Sequence, residues 1–233
     1  MIVGIMQPYF FPYIGYWQLL NAVDTYVIYD DVSFIKNGWI NRNRILINGE
    51  AKYFNLPTVG TSSFIKINAV CLSSDKKLFD KLLKMLDNSY RKAPYFADVM
   101  PLLIKIISYE TMNMAELLTF QIRTISDFLK IDTKIILSSK DIEKDCEKRG
   151  QEKVLHICNV LGGVEYYNAI GGLSLYDKKY FETNGVKLSF LKSNSIVYKQ
   201  YKNSFVPNLS IIDHLMFCSV DEIKDQLEDF QLV

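Results

Sequence analysis

The sequence predicts an α/β fold with a mainly parallel, Rossmann-like sheet, helices on both faces, a β-hairpin and a helical insertion. Three observations support this prediction. Short apolar runs typical of buried strands alternate with helical patterns, and they cover 1–6, 25–30, 133–138, 165–170 and 186–191. In residues 75–130, apolar residues instead recur at the spacing of an α-helix. Asn48-Gly49 lies between two apolar runs, and this dipeptide favours a hairpin because both residues tolerate positive φ.

Two prolines after the first strand predict a rigid elbow. Pro8 and Pro12 cannot lie inside a central strand or a helix, so residues 7–13 are expected to form a fixed loop at the carboxyl end of that strand. Small ligands usually bind at that edge of an α/β sheet. A helical pattern then continues to Ala22.

Local signals also place the later elements. Residues 44–56 are expected to form the hairpin and residues 64–72 a further strand. Helices are predicted over 151–161, 173–183, 209–217 and 221–230. We expect residues 1–233 to form a single α/β domain, with 75–130 as a helical insertion within it.

The composition excludes several classes of protein. The 233 residues carry 27 basic and 26 acidic side chains, and this balance gives no overall field that would attract nucleic acid or an anionic membrane. No apolar run is long enough to span a bilayer, and the start of the chain lacks a signal-peptide pattern. The four scattered cysteines suit reduced thiols, so a cytoplasmic location is expected. No histidine pair has metal-ligand spacing, and no metal site is predicted.

The elbow and the helix after it form a candidate nucleotide site. Gly15 at the start of the helix allows close approach of a ligand, and the free amides there favour phosphate. Gln7, Tyr13 and Gly15 are therefore candidate binding residues, and Tyr16 is a candidate catalytic residue. The alternative is that the aromatic residues of this segment form a small core under the sheet edge.

Two acidic residues follow the second strand and are candidate catalytic groups. Asp30 and Asp31 can hold Mg²⁺ through water, bind a sugar hydroxyl or orient an amine. The alternative is that they cap the turn after the strand.

The basic, asparagine-rich segment that comes next is a candidate anion site. Alternation along an extended chain places Arg42 and Arg44 on one face, with Asn41 and Asn43 on the other. A planar guanidinium suits a pyrophosphate group. The alternative is a solvated hairpin strand.

Three sequence motifs resemble the WbqC-like family, which is found in bacterial gene clusters for O-antigen and other surface polysaccharides. The motifs are Met6–Tyr16, Asp30-Asp31-Val32 and Gly38–Arg44, and Gln200, Phe205 and Leu209–Asp213 also match family positions. The resemblance implies a role with surface-polysaccharide sugars, and a glycine or aminoacyl transferase activity has been suggested for the family.

The elbow has a more distant likeness to the nucleotidylyltransferase and pantothenate synthetase superfamily. Tyr13-Ile14-Gly15-Tyr16 stands where that superfamily has a His-x-Gly-His motif that binds ATP phosphates. Tyrosine is neutral at pH 7 and cannot supply the charge of histidine. A late loop closes over the triphosphate in that superfamily, and the likeness implies a similar role for Gln200 and Ser210. Ser210 is also a candidate helix N-cap.

These observations together lead to a functional hypothesis. We expect a transferase or ligase that forms an amide on a nucleotide-linked amino sugar, with glycine or another amino acid as donor. ATP and Mg²⁺ are candidate cofactors for activating the donor. The alternative is a non-catalytic protein that binds a nucleotide sugar or a partner enzyme, because no histidine, cysteine or lysine lies in a recognisable catalytic motif.

Overall fold

The computed structural model describes residues 1–143, 147–202 and 204–233. Its strands are β1 (Ile2–Met6), β2 (Thr25–Ile28), β3 (Arg42–Ile47), β4 (Glu50–Asn55), β5 (Thr58–Val59), β6 (Cys71–Leu72), β7 (Lys134–Leu137), β8 (Glu165–Ala169), β9 (Lys187–Ser193) and β10 (Phe230–Leu232). Six of these strands form the central sheet in the order β10-β9-β8-β1-β2-β7. Every neighbouring pair is parallel except β9 and β10. The predicted mainly parallel α/β fold is confirmed.

Helices cover both faces of this sheet. They are α1 (Ile14–Asn21), α2 (Lys76–Tyr90), α3 (Phe96–Ile107), α4 (Met114–Leu129), α5 (Ser138–Asp141), α6 (Gly150–Leu161), α7 (Lys178–Thr183), α8 (Ile211–Phe217) and α9 (Val220–Glu228). Side chains alternate across the sheet, so Tyr26 and Ile28 join the core with α1, α4 and α9. Val3, Ile5 and Val27 face the other way and pack with α6 and α7.

The predicted hairpin and the predicted helical stretch are both present. β3 and β4 pair from Arg42↔Asn55 to Ile47↔Glu50. Asn48 has φ 53° and Gly49 has φ 80°, which are the two positive values that a tight primed turn requires. Helices α2, α3 and α4 occupy most of residues 75–130.

Some predicted boundaries were wrong. Of the predicted strand 64–72, Cys71–Leu72 forms strand β6, and Ile67–Ala69 forms a short 3-10 helix. The helix predicted from 173 begins at Lys178, where the Asp177 side chain caps it. The predicted helix 221–230 ends at Glu228, because the chain then forms edge strand β10 against β9.

The connections place β1 at the centre of the sheet. The chain passes from β1 to β2 and β7 on one side, and later to β8 and β9 on the other side. The direction of winding therefore reverses next to β1, and such a reversal opens a crevice at the carboxyl ends of the strands. Gln7 and the elbow follow β1 at that edge.

The structure shows the state of three cysteines and the length and apolarity of the described helices. Cys71, Cys158 and Cys218 are free thiols, while Cys146 lies outside the described residues. Within those same ranges, no helix combines the length and the apolarity that crossing a bilayer demands.

Candidate functional site

The elbow between β1 and α1 contains a strained backbone position. Phe11 has φ 43°, in the left-handed region that bulky residues rarely adopt. Such a conformation costs on the order of 1–3 kcal/mol and persists only where the surroundings hold it. The Phe10 and Phe11 rings are buried, with centroids 4.8 Å apart in an edge-on arrangement.

Two buried amides from distant segments hold this backbone in place. Asn43 Nδ2 donates to the carbonyl oxygens of Phe10 and Phe11 at 3.1 and 2.8 Å. Gln121 Nε2 donates to the carbonyl oxygen of Tyr9, and its Oε1 accepts from the Phe11 amide, both at 3.0 Å. Asn43 is only 4% exposed and Gln121 is fully buried. Because both amide groups are shielded from water, their hydrogen bonds stabilise the backbone conformation of the elbow.

Ser210 is the third buried side chain that holds the elbow. Its hydroxyl donates to the Phe11 carbonyl oxygen at 2.7 Å and accepts from the Ile212 amide at 3.2 Å. Ser210 is thus the N-cap of α8, and its own amide donates to the carbonyl oxygen of Arg44 at 2.8 Å. One residue links the elbow, the hairpin and the last part of the chain.

A cleft of about 320 Å³ opens beside the elbow. Its walls come from the elbow, the loop before β3, strand β3 and the loop before α8: Tyr9, Pro12, Tyr13, Trp39, Asn43, Arg44 and Asn208. The Arg44 Nη2 donates to the Asn208 carbonyl oxygen at 3.1 Å. Over 1–143, 147–202 and 204–233, no carboxylate forms an ion pair with Arg44. The cleft therefore presents a guanidinium whose charge is not neutralised by those residues.

Aromatic rings and a second guanidinium flank Arg44. The rings of Trp39 and Tyr53 stack with centroids 6.2 Å apart. The Arg44 Cζ lies 5.6 Å from the centre of the Trp39 ring, and the Arg42 Cζ lies 4.7 Å from that of Tyr53. Such contacts between cations and ring faces are attractive and restrict the side chains.

Arg42 closes the loop that carries Trp39, and Asn41 links the end of that loop to β5. The Arg42 guanidinium donates to the backbone carbonyl oxygens of Asn37 and Gly38, the latter at 3.1 Å. Asn41 Nδ2 donates to the Thr58 hydroxyl at 3.3 Å. Neither Arg42 nor Asn41 is among the residues that line the cleft.

The predicted phosphate site at the start of α1 is covered by an aromatic ring. An added Cβ on Gly15 would lie 2.5 Å from the Tyr13 hydroxyl, so the absence of a side chain accommodates Tyr13. Tyr13 itself lines the cleft, and burial raises the pKa of its hydroxyl. Tyr16 is 1% exposed and packs against Trp17 and Tyr26, and burial raises its pKa well above the ordinary value. The structure thus places Tyr16 in the core, behind the cleft-lining Tyr9 at 5.7 Å between ring centroids, and not among the lining residues, as the aromatic-core alternative expected.

Asp30 and Asp31 belong to a separate polar cluster at the carboxyl ends of β2 and β7. Asp30 accepts from the amide and the hydroxyl of Ser139 at 2.9 and 2.5 Å. Asp31 accepts from the Ser138 hydroxyl at 2.8 Å and forms an ion pair with Lys153 at 2.9 Å. Neither aspartate is among the cleft-lining residues.

Gln7 and Gln200 also lie outside the set of residues that line the cleft. Gln7 is half-buried at the end of β1. Gln200 is 3% exposed, and its amide bonds both backbone groups of Val206 and the Asp213 carboxylate. Asp213 accepts further bonds from two tyrosine hydroxyls, and burial raises its pKa. Gln200 therefore packs the segment before α8 onto that helix.

The structure thus brings Tyr13, Asn43 and Arg44 together at one cleft. Sequence reasoning did not select Trp39 or Asn208, which complete its walls, or Gln121, which supports it. Trp39 lies within the motif Gly38–Arg44, so its position beside the arginines was a usable signal. Nothing in the local sequence distinguishes Gln121 from other polar helix positions.

The sheet and the cleft define a three-layer α/β protein with a ligand-sized opening beside its first strand. The chain belongs to the WbqC-like protein family, whose model matches residues 7–225. It is also 27% identical over 227 residues to the uncharacterized protein Rv1507c of Mycobacterium tuberculosis, an alignment that covers 97% of this chain and 96% of that relative. No solved structure matches the chain. The likeness to the nucleotidylyltransferase superfamily stays a prediction.

Proposed function

We propose that the cleft binds the phosphate-bearing part of a nucleotide-linked amino sugar, and that the protein transfers glycine or another aminoacyl group to the amine of that sugar. The product would be an amide-bearing sugar for a bacterial surface polysaccharide. Family membership supports the polysaccharide context, and the cleft chemistry supports the type of ligand. A cytoplasmic location would give access to nucleotide sugars.

The observation that carries this proposal is the environment of the Arg44 guanidinium. Its guanidinium lies in the wall of the cleft, has one protein carbonyl as hydrogen-bond acceptor and has no carboxylate partner among the described residues. A guanidinium in a partly enclosed aromatic cleft favours a phosphate or pyrophosphate, which it can bind through two parallel hydrogen bonds.

The proposed reaction needs little acid–base chemistry from the protein. The sugar amine attacks the carbonyl carbon of an activated aminoacyl donor, the bond to the donor's leaving group breaks, and the amine loses a proton to solvent. The contribution of the chain is to hold the two reactants in position, which can supply much of the rate enhancement. Tyr9 and Tyr13 both line the cleft, and their hydroxyls can donate hydrogen bonds because a tyrosine stays protonated at neutral pH; burial raises the pKa of both further.

ATP and Mg²⁺ would serve to activate a free amino acid. The start of α1 does not fit an ATP phosphate, because the Tyr13 ring fills the space over Gly15. Over the ranges that the structure describes, no group of three His, Cys, Asp or Glu side chains is placed to hold a metal ion. The acyl group would then come from a donor that has been activated elsewhere.

Ligand screening followed by mass spectrometry tests this proposal. Thermal-shift measurements would compare nucleotides, nucleotide sugars and sugar phosphates. Each ligand that raises the melting temperature would then be incubated with amino acids, with and without ATP and Mg²⁺. We expect a nucleotide-linked amino sugar to stabilise the protein and to gain the mass of one aminoacyl residue.

The second candidate function is a non-catalytic protein that binds a nucleotide sugar or a partner enzyme. The favouring observation is that Asp30, Asp31 and Gln200 are engaged with other protein groups and none of them lines the cleft. Binding of a nucleotide sugar without any product, across all amino acids tested with and without ATP, would favour this candidate.

A further inference from the structure

Trp39 is the largest exposed aromatic surface of the cleft. Its side chain is 40% exposed although it lines the opening next to Arg44. Tyr53 stacks on the ring, and the backbone carbonyl oxygen of Trp39 accepts from the Phe10 amide at 3.2 Å, which fixes the main chain at this position. A rigid, half-exposed ring at a cleft wall is suited to packing against a flat apolar surface of a ligand.

The short separation between Trp39 and Arg44 restricts which part of a ligand can lie there. The guanidinium carbon is 5.6 Å from the centre of the ring. In a sugar 1-phosphate, one oxygen atom joins the phosphorus to the sugar ring. In a nucleotide, the ribose stands between the phosphate and the base. A phosphate on Arg44 therefore brings a directly attached sugar ring over Trp39 more readily than it brings a base.

The volume of the cleft agrees with this arrangement. About 320 Å³ is near the lower end of the range for ligand pockets, which suits one ring and its phosphate better than a whole nucleotide sugar. The nucleoside part would then extend out of the cleft.

We infer that the cleft binds the sugar end of the nucleotide sugar, with Arg44 on the sugar-linked phosphate and the apolar face of the sugar ring against Trp39. This inference rests on the proposed function and assigns its substrate class more narrowly: a hexosamine 1-phosphate group is the unit recognised. The amine to be acylated then lies inside the cleft.

Calorimetric titration of three probes tests the inference: glucosamine 1-phosphate, UDP and UDP-glucosamine. For wild type we expect glucosamine 1-phosphate to bind without a nucleotide. We expect Trp39→Ala to weaken both sugar-containing probes about tenfold, which corresponds to about 1.4 kcal/mol, and to change UDP binding by less than about twofold. Trp39→Phe keeps an aromatic face and should restore most of the affinity.

Tyr109→Ala is the matched control. Tyr109 is also 40% exposed and stacked, on Phe120 at 4.1 Å, but it is not among the cleft-lining residues. Its replacement should leave the binding of all three probes unchanged. Melting curves of each variant would confirm that the protein remains folded.

Two results would overturn the inference and leave the proposed function standing. In the first, UDP-glucosamine binds but Trp39→Ala weakens UDP as much as the sugar-containing probes. In the second, UDP-glucosamine binds while glucosamine 1-phosphate does not. If none of the three probes binds to wild type, the inference fails; the proposed function fails as well only if no nucleotide sugar in the thermal-shift screen stabilises the protein.

Discussion

The side-chain amide of Gln121 bonds the elbow backbone on either side of Phe10, and its Oε1 accepts from the Phe11 amide at 3.0 Å. This bond holds a phenylalanine at positive φ and joins α4 to the loop that forms one wall of the cleft. The shape of the cleft consequently depends on a residue that does not line it.

Gln121→Leu should therefore destabilise the protein. Leucine has a similar size but leaves the Phe11 amide and the Tyr9 carbonyl oxygen without their partner, and an unsatisfied buried group costs about 1–3 kcal/mol. Urea denaturation should show that the free energy of unfolding of Gln121→Leu is lower than that of wild type by at least about 1 kcal/mol. Thr119→Val on the same helix is the control, because the Thr119 hydroxyl is buried with no hydrogen-bond partner in the described part of the chain and its loss should be nearly neutral. Equal stability of the two variants would contradict the proposed support.

Arg44 and Arg42 should differ in their effects on binding. Arg44→Ala removes the guanidinium in the cleft wall, and we expect UDP-glucosamine to bind roughly tenfold to hundredfold more weakly, the loss expected for one charged hydrogen bond. Arg42→Ala should instead lower the melting temperature, because this guanidinium bonds the carbonyl oxygens of Asn37 and Gly38. Arg44→Lys should give intermediate affinity, since lysine lacks the planar pair of donors.

Titration of these variants alongside wild type would check this difference. Unaltered affinity of Arg44→Ala would remove Arg44 from the site. A larger affinity loss in Arg42→Ala than in Arg44→Ala would show that the two roles have been exchanged.

The ion pair between Asp31 and Lys153 should contribute to stability. Their side chains are 12% and 15% exposed, so replacing Asp31 with alanine leaves a largely buried ammonium without that carboxylate. Breaking a buried pair costs roughly 3–5 kcal/mol, and the remaining exposure places the expected loss near the lower value. The double variant Asp31→Ala/Lys153→Met should recover part of it. Chemical denaturation of the single and double variants measures this coupling, and strictly additive losses would indicate that the two charges act independently.

Protonation of His214 should oppose folding in mildly acidic solution. Burial lowers the pKa of His214 from an ordinary value of 6.5 to about 4. The unfolded chain therefore binds a proton between these values while the folded protein does not, and stability falls as the pH decreases from about 6.5 to 4. The slope from this group reaches about 1.4 kcal/mol per pH unit.

The variant His214→Phe should lack this component of the pH dependence. It keeps a ring beside Tyr198 but loses the contact of Nδ1 with Gln226 at 2.9 Å, which lowers stability at every pH without adding a slope. Asp213, whose pKa is raised by burial, contributes in the opposite direction in both proteins, so the difference between their unfolding curves isolates His214. Parallel curves between pH 4 and 6.5 would argue against a neutral, buried histidine.

Local patterns predicted the sheet because each of its parallel strands is a short apolar run. Such a run can be recognised without knowing which strand lies beside it. The same patterns gave the hairpin, since the Asn48-Gly49 turn is specified by two residues. Strand β10 was missed because it exists only through pairing with β9, a partner that is not visible in the local sequence.

The candidate site was predicted only in part, because its contacts also join residues that are distant in sequence. Sequence patterns identified Asn43 and Arg44 as candidate anion-binding residues, but they could not show which of these donors the protein itself would use. Asn43 reaches the carbonyl oxygens of the elbow more than thirty positions earlier in the chain. Tyr16 was expected at the ligand, and the tertiary packing of α1 places it inside the core.

The supports of the elbow have a consequence for biosynthesis. Asn43, Gln121 and Ser210 reach the same few peptide groups from widely separated positions in the chain. A nascent polypeptide that has not yet released residue 210 from the ribosome lacks one of these three anchors, however well its earlier strands have formed. Competence to bind a ligand at this cleft should thus arise late in synthesis, and a ligand that recognises the finished cleft would distinguish completed molecules from partly folded ones.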